Sequence, residues 1–341
     1  MPRKALLVYN PLAGGAVAPD SWLGEILHKL CSTGDHIVTT LATTPASNSE
    51  TLLAILEGDN SSFDLLIAAG GDGTIRMVLE AAAKSKAKPT VGIVPVGTGN
   101  QLARNLGLSE ENFLVDPLNK PIDTLIRGEK FQMDLGMMND SYFAVAAGAG
   151  PMSDAIAAPG QIDKVNWRML AYASSLVQTI AQAPILFNVT ADGEQFKVAA
   201  SGLFIFNISD LGVGSLSDNS SIDDGLLDLC VLAPKEFQDY LEVGFRFTSG
   251  IAADTGPYYI KQVKSLFIEV LPVSRQSSVL EKTWRNLKKG IGLYEKPPLM
   301  VHNEVPVTLD GDTEGMTPMR IEVAPKAVTV LVPPGFRKDG G

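Results

Sequence analysis

Three turns carry the residue types that phosphate chemistry requires. "NPLAGG" (Asn10–Gly15), "GGDGT" (Gly70–Thr74) and "PVGTGN" (Pro95–Asn100) each follow an apolar run, and the second and third each open a helix-like stretch. Glycine lets backbone amides approach a ligand closely, and a helix N-terminus favours an anion, so each turn can cradle phosphate. Taken singly, "GGDGT" reads better as an ordinary strand-to-helix turn in which Asp72 or Thr74 caps the helix. Gly97 and Gly99 also lack the remainder of a GxGxxG dinucleotide signature. The number of turns changes the balance, because in an open parallel sheet the loops at the strands' carboxyl ends line one ligand crevice. Carboxylates follow downstream in "MDLG" (Met133–Gly136), "SIDDGLLDL" (Ser221–Leu229) and "LDGDTEGMTP" (Leu309–Pro318). In isolation the Asp-Gly pairs are ordinary turns. Beside three anion cradles they suit phosphoryl transfer, which needs hard oxygen ligands for Mg²⁺ and a carboxylate near the attacking hydroxyl.

The elements that must position these residues follow from the hydrophobic pattern. "ALLVYN", "HIVTTL", "FDLLIAAGG" and "PTVGIVPVG" read as strands, the last two as strands buried on both faces, with helices over residues 20–31 and 49–56. Strand and helix in alternation predict a doubly wound α/β domain with a parallel sheet over residues 1–134. After Asp134 the texture becomes β-rich. "YFAVAAGAG", "ILFNVTADGE", "VAASGLFIFNIS", "LLDLCVLA", "SLFIEVL", "VPVTLD", "MRIEVAP" and "VTVLVP" predict a largely antiparallel domain over 135–334, with two or three helices and a short tail over 335–341. No Gly/Ser linker separates the halves, so the two domains are expected to pack closely around a cleft.

This set of motifs resembles the diacylglycerol kinase catalytic family of lipid kinases, relatives of the sphingosine and NAD kinases, over nearly the whole chain. "FAVAAGAGPMSDA" (Phe143–Ala155) belongs to the match, and the late acidic motifs separate it from the NAD kinases. The resemblance implies a nucleotide-binding α/β domain, a β-sandwich second domain, and ATP and Mg²⁺ in the cleft between them. It also implies phosphoryl transfer to a hydroxyl of diacylglycerol or a related lipid. By position, Asn10, Thr44 (or Thr43), Gly70, Gly71, Asp72, Gly73, Thr74, Arg76, Gly97, Thr98 and Asn100 would meet ATP, with Asp72 the central acidic residue. Asp134 would help hold the catalytic Mg²⁺. Asp310 and Asp312 match the pair that activates the hydroxyl. Asp224, with the carbonyls of Ser221 and Leu226, matches a structural Mg²⁺ site.

The chain departs from the family pattern at several points. Arg76 and Met77 replace the usual Asn and Glu after "GGDGT", Gln101 replaces an aspartate after "GTxN", and Asp312 is one methylene shorter than the usual Glu. Arg76 contacting phosphate directly would offset part of the lost metal charge. Segment 275–298, "RQSSVLEKTWRNLKKGIGLYEKPP", is unusual for the family. As a helix it sets Val279, Leu280, Trp284 and Leu287 on one side and Lys282, Arg285, Lys288 and Lys289 on the other. It reads either as a transient peripheral membrane contact or as a helix packed on the sandwich with solvated lysines. A second functional reading is a weak or inactive pseudokinase that binds nucleotide or lipid as a sensor. Gln101 and Met77 favour that reading, whereas the retained Asp72, Asp134, Asp224 and Asp310 favour the enzyme.

Composition sets the outer bounds. The formal net charge of −10 argues against a nucleic-acid partner. Cys31 and Cys230 lie in no metal spacing and read as reduced, packed thiols. The N-terminal apolar run is interrupted by Asn10 and Pro11, so it reads as a strand and not a signal peptide. Nothing approaches the ~18 consecutive apolar residues of a membrane span. The cytosol is the expected compartment, and a homodimer is left open.

Overall fold

A computed structural model describes residues 2–13, 19–58, 62–97, 99–109, 116–150, 184–208, 221–232, 258–272 and 304–336. The chain divides into two compact units, Met1–Leu135 with Ala324–Gly341, and Gly136–Val323.

In the first unit, β1 (Arg3–Tyr9), β3 (Leu65–Gly70) and β4 (Thr90–Pro95) lie side by side and parallel, with β2 (His36–Ala42) outside β1. Every residue of β3 is buried, and only the last of β4 is not. Such strands need helices on both faces, and the apolar "LLIAAG" and "TVGIVP" supply nothing that water would solvate. On one face α1 (Pro19–Ser32) and α5 (Asn119–Arg127) pack Trp22, Ile26, Leu30, Ile122 and Leu125 against Ala5, Leu7, Leu65 and Ile67. α3 (Asp72–Lys84) also packs on β3 and β4, and α2 (Ser49–Leu56) packs on α3. α2 begins in a capping box, in which the Asn48 side chain accepts the Thr51 amide at 2.9 Å and the Thr51 hydroxyl accepts the Asn48 amide at 3.1 Å. Among the described residues no helix is long and apolar enough to cross a membrane.

In the second unit two antiparallel sheets enclose a core. One is the six-stranded sheet β12 (Tyr258–Val263), β11 (Leu227–Leu232), β10 (Gly202–Phe206), β7 (Ala146–Ala149), β14 (Pro306–Leu309) and β15 (Asp312–Met316), in that order. The other pairs β9 (Glu194–Ala200), β8 (Ile185–Ala191), β13 (Ser265–Val270) and the first part of β16 (Met319–Val332). Leu203, Ile205, Leu229, Val231 and Val307 from the first sheet meet Phe187, Val189, Ile268 and Ile321 from the second in one buried cluster, a sandwich core. The β8–β9 turn, Asp192-Gly193, has φ of 48° and 86°. That is the left-handed pair a two-residue hairpin demands.

The structure differs from the sequence reading at three places. "MRIEVAP" and "VTVLVP" form one strand, β16, whose first part pairs antiparallel with β13 and whose last part pairs parallel with β4. Residues 324–341 therefore fall in the first unit, although the sequence reading carried the second domain to 334. Lys326, at φ 51°, lets the strand deviate after Pro325 without ending. "YFAVAAGAG" splits into β6 (Ser141–Phe143), which forms a hairpin with β5 (Glu129–Met138), and β7. Cys31 is exposed on α1, so only Cys230 is a packed thiol, and burial pushes it up to about 12. Segment 275–298 and the helices expected in the second domain lie outside the described residues.

Candidate nucleotide and phosphoryl-transfer site

The parallel registers bring the glycine turns together. Tyr9 pairs with Ala42 on one side and Ala69 on the other, and Gly70 pairs with Pro95. Asn10, Thr43, Gly71 and Val96 therefore leave the sheet along one edge. Each turn then closes on itself or its neighbour. The Asn10 side chain accepts the Leu12 amide at 2.9 Å. The Thr43 amide donates to the Tyr9 carbonyl at 2.8 Å, the Val96 amide donates to the Gly70 carbonyl at 3.1 Å, and the Thr44 amide donates to the Ser47 hydroxyl at 2.9 Å.

Asp72 holds the two central turns in register. It is the first residue of α3, and its carboxylate accepts the Asn100 amide at 3.0 Å and the Gln101 amide at 3.1 Å, where α4 (Gln101–Asn105) begins. The acid of one glycine loop thus caps the helix that follows the other. Asn100 sits in the left-handed region at φ 50°, and its side chain donates to the Gly97 carbonyl at 2.7 Å. Arg104 donates to the Gly99 carbonyl at 3.0 Å and adds a favourable charge near Asp72. Burial raises the Asp72 carboxyl above its ordinary value, against the opposing pull of the Gln101 and Asn100 amides and Arg104.

The close fit explains why glycine is needed. A Cβ on Gly97 would overlap the Gly71 backbone, one on Gly99 would overlap the Asp72 carboxylate, and one on Gly70 would overlap Thr74. Gly97→Ala is expected to cost about 1–3 kcal/mol, because backbone opposes the new methyl. Gly71→Ala should be nearly neutral, since its Cβ would sit 3.6 Å from Gly97 and its φ of −86° suits any residue. Urea denaturation of both variants checks this, and equal costs would contradict the packing.

The carboxylates expected to bind metal are arranged differently. Asp134 on β5 is fully buried, and one of its oxygens accepts the Lys326 amide at 2.6 Å. Gln101, in place of the family aspartate, is buried as well. Arg76 lies four residues after Asp72 on α3, and both it and its neighbour Met77 are half-buried. Among the described residues, no three His, Cys, Asp or Glu side chains gather as a metal cluster. Mg²⁺ on a nucleotide does not need one, because it keeps its waters and is bound by one or two carboxylates together with the phosphates. The donor chemistry at Asp134 fits such an ion.

In the second unit Asp310 and Gly311 form the β14–β15 turn, at φ of 47° and 97°. The Asp310 carboxylate is gripped by three successive amides: Ala144 at 2.9 Å on Oδ2, and Val145 at 2.8 Å and Ala146 at 2.9 Å on Oδ1. Asp312 is exposed at the start of β15. Asp224 lies elsewhere, in a tight loop before β11, where it accepts the Leu226 amide at 2.9 Å, while Ser221 donates to Asp223 at 2.7 Å. β11 and β14 are separated by β10 and β7. Three strand spacings amount to about 14 Å, so the strands that carry Asp224 and Asp310 are too far apart for the two carboxylates to share one ion. Thr98 lies outside the described residues. Sequence reasoning missed Arg104, which donates to the Gly99 carbonyl, and Asn207, which donates to the Ala144 carbonyl. The only signal was a polar residue inside an apolar stretch, "LAR" and "FIFN".

A family model described as the diacylglycerol kinase catalytic domain matches residues 4–138. A diacylglycerol kinase of Bacillus subtilis (strain 168) is 31% identical over 244 residues, covering 71% of this chain and 77% of the relative. The chain belongs to the diacylglycerol kinase family. It is a lipid kinase by that membership. A diacylglycerol kinase of Staphylococcus saprophyticus is 27% identical over 235 residues, covering 68% of this chain and 73% of the relative. A crystal structure of a diacylglycerol kinase from Bacillus anthracis str. Sterne superposes with a TM-score of 0.66 at 20% identity, covering 98% of each chain, which establishes a shared fold. The family's two-part architecture, an α/β unit with a parallel sheet and an antiparallel sandwich, is the one described above.

Proposed function

We propose that this lipid kinase transfers the γ-phosphoryl group of ATP to a hydroxyl of diacylglycerol or a closely related lipid, with Mg²⁺ required. The observation that carries the reading is the Asp72 bridge, which fixes two glycine turns at the carboxyl ends of adjacent parallel strands. Amides in these turns and the N-terminus of α3, a 13-residue helix, are suited to the phosphates. Asn10, Thr44 or Thr43, Gly70 to Thr74, Arg76, Gly97, Thr98 and Asn100 form the nucleotide contacts, with Arg76 offsetting charge that the family's acidic residues would place on metal. Asp134 would hold the catalytic Mg²⁺, which when bound neutralises charge on the β- and γ-phosphate oxygens. Asp224, with the carbonyls of Ser221 and Leu226, would hold a second, structural Mg²⁺ in the sandwich.

Asp310 is the base. As the acceptor oxygen bonds to the γ-phosphorus and the bridging oxygen departs with ADP, Asp310 takes the hydroxyl proton. Asp312 completes the acidic pair. Function is peripheral to a membrane, in the cytoplasm, because the acceptor resides in lipid.

ATP labelled at the γ or the α position, incubated with diacylglycerol in mixed micelles, tests the proposal. Label should enter the lipid from the γ position alone, and chelation of Mg²⁺ should stop it. Label from the α position, or transfer unaffected by chelation, would contradict it.

A further inference from the structure

We infer that Asn207 is a positioning residue for Asp310, acting through two peptide planes between them; this rests on the reading of Asp310 as the base. Asn207 follows β10 and is 3% exposed. Its side-chain amide donates to the Ala144 carbonyl at 3.1 Å, and its backbone amide donates to the Val145 carbonyl at 2.9 Å.

The stereochemistry gives those two contacts their meaning. The Ala144 carbonyl and the Val145 N–H belong to one rigid peptide plane, and the Val145 carbonyl and the Ala146 N–H belong to the next. The N–H ends of these two planes are the two that reach Asp310 Oδ1, at 2.8 and 2.9 Å. Asn207 therefore grips the carbonyl ends of the planes whose amide ends grip the base. A donor on the carbonyl polarises the plane and strengthens the N–H at its far end. It also prevents either plane from flipping, which would turn a carbonyl oxygen towards the carboxylate. The Asp310 amide closes the circuit on the Ala146 carbonyl at 2.8 Å.

Asn207 is tied to Ala144 and Val145, so its side chain should influence the chemical step and not ATP affinity. Replacement also separates the two planes. Asn207→Ala removes the side-chain donor to Ala144 but leaves the backbone donor to Val145. Asn207→Asp keeps the shape while an ionised carboxylate offers no N–H.

Full-length wild type, Asn207→Ala and Asn207→Asp are compared for γ-phosphoryl transfer to diacylglycerol and for amide hydrogen exchange at single-residue resolution. The inference predicts that kcat falls roughly 10- to 100-fold in both variants while KM for ATP stays within twofold. The Val145 amide should exchange faster than in wild type, and more so than Ala146. A loss confined to KM for ATP, unchanged exchange at Val145, or equal acceleration throughout the sandwich would overturn it. The exchange arm reads the tie whether or not Asp310 is the base. Failure of the base assignment would appear separately, as full activity in Asp310→Asn.

Discussion

Asp310→Asn should lower kcat by about 10²–10⁴-fold, the usual contribution of a general base, while ATP binding stays intact. The turn geometry supports so large an effect. Asp310 is fixed by the left-handed turn beneath it and by three amides around it, so its position does not depend on substrate. The same contacts mean that the substitution also perturbs the fold. Oδ1 accepts two amides and Oδ2 one, so an Asn side chain must turn its NH₂ towards at least one N–H. Asp310→Asn is therefore expected to cost roughly 1–3 kcal/mol of stability as well. Asp312→Asn supplies the control. Asp312 is exposed, so its loss should change stability by no more than about 0.5 kcal/mol. As the second member of the acidic pair, Asp312 should lower activity on replacement by Asn without this cost in stability. Paired rate and melting measurements on the two variants separate chemistry from folding, and an Asp310→Asn enzyme with wild-type kcat would remove Asp310 from the mechanism.

The second large effect is expected at Asp72. Asp72→Ala leaves the Asn100 and Gln101 amides without their acceptor at the start of α4 and frees the Gly97–Asn100 turn from the Gly70–Thr74 turn. A hydrogen bond to a charged group contributes about 1.5–3 kcal/mol, and relief from burying the carboxylate offsets part of two such losses. A net loss of about 2 kcal/mol and at least a tenfold weaker affinity for ATP are expected, read by urea denaturation and calorimetric titration. Unchanged ATP affinity would show that the two turns do not act as one site.

Asp72 also carries a pH signature. Its folded pKa is raised, chiefly by burial, so the folded state holds this proton more tightly than the unfolded state. Stability linked to Asp72 is therefore fully present below the unfolded value and is lost as pH rises through the folded one. Ionisation, which opposes folding in that window, is what lets both oxygens accept amides. Stability linked to Asp72 should consequently be greater in mildly acidic buffer than at higher pH. Asp72→Asn should abolish that dependence, and urea denaturation against pH in both proteins checks it.

How much of this was legible in the sequence varies with the range of the interaction that decides it. β3 and β4 were readable because a strand covered on both faces has to be apolar along its whole length, and "LLIAAG" and "TVGIVP" are. The turns that follow them were readable from glycine. The role of Asp72 was not, because its partners lie 28 and 29 residues away and are backbone amides, which have no sequence signature. It was expected to face ligand, and its oxygens also join two loops. Asp134 was expected at metal, and a backbone amide of β16 occupies one of its oxygens, a contact that exists only because β16 returns to the first unit. That return left no mark, since Pro325 and Lys326 look like the end of a strand and the strand continues past them. Asn207 was hidden for the same reason as Asp72: its partners are carbonyls.

Hydrogen exchange of the wild-type protein with and without ATP and Mg²⁺ decides whether the glycine turns form one nucleotide site. ATP should slow exchange together in residues 10–13, 70–76 and 97–101, the turns at the carboxyl ends of β1, β3 and β4. Binding of ATP with no protection in those turns, or protection confined to other segments, would contradict it.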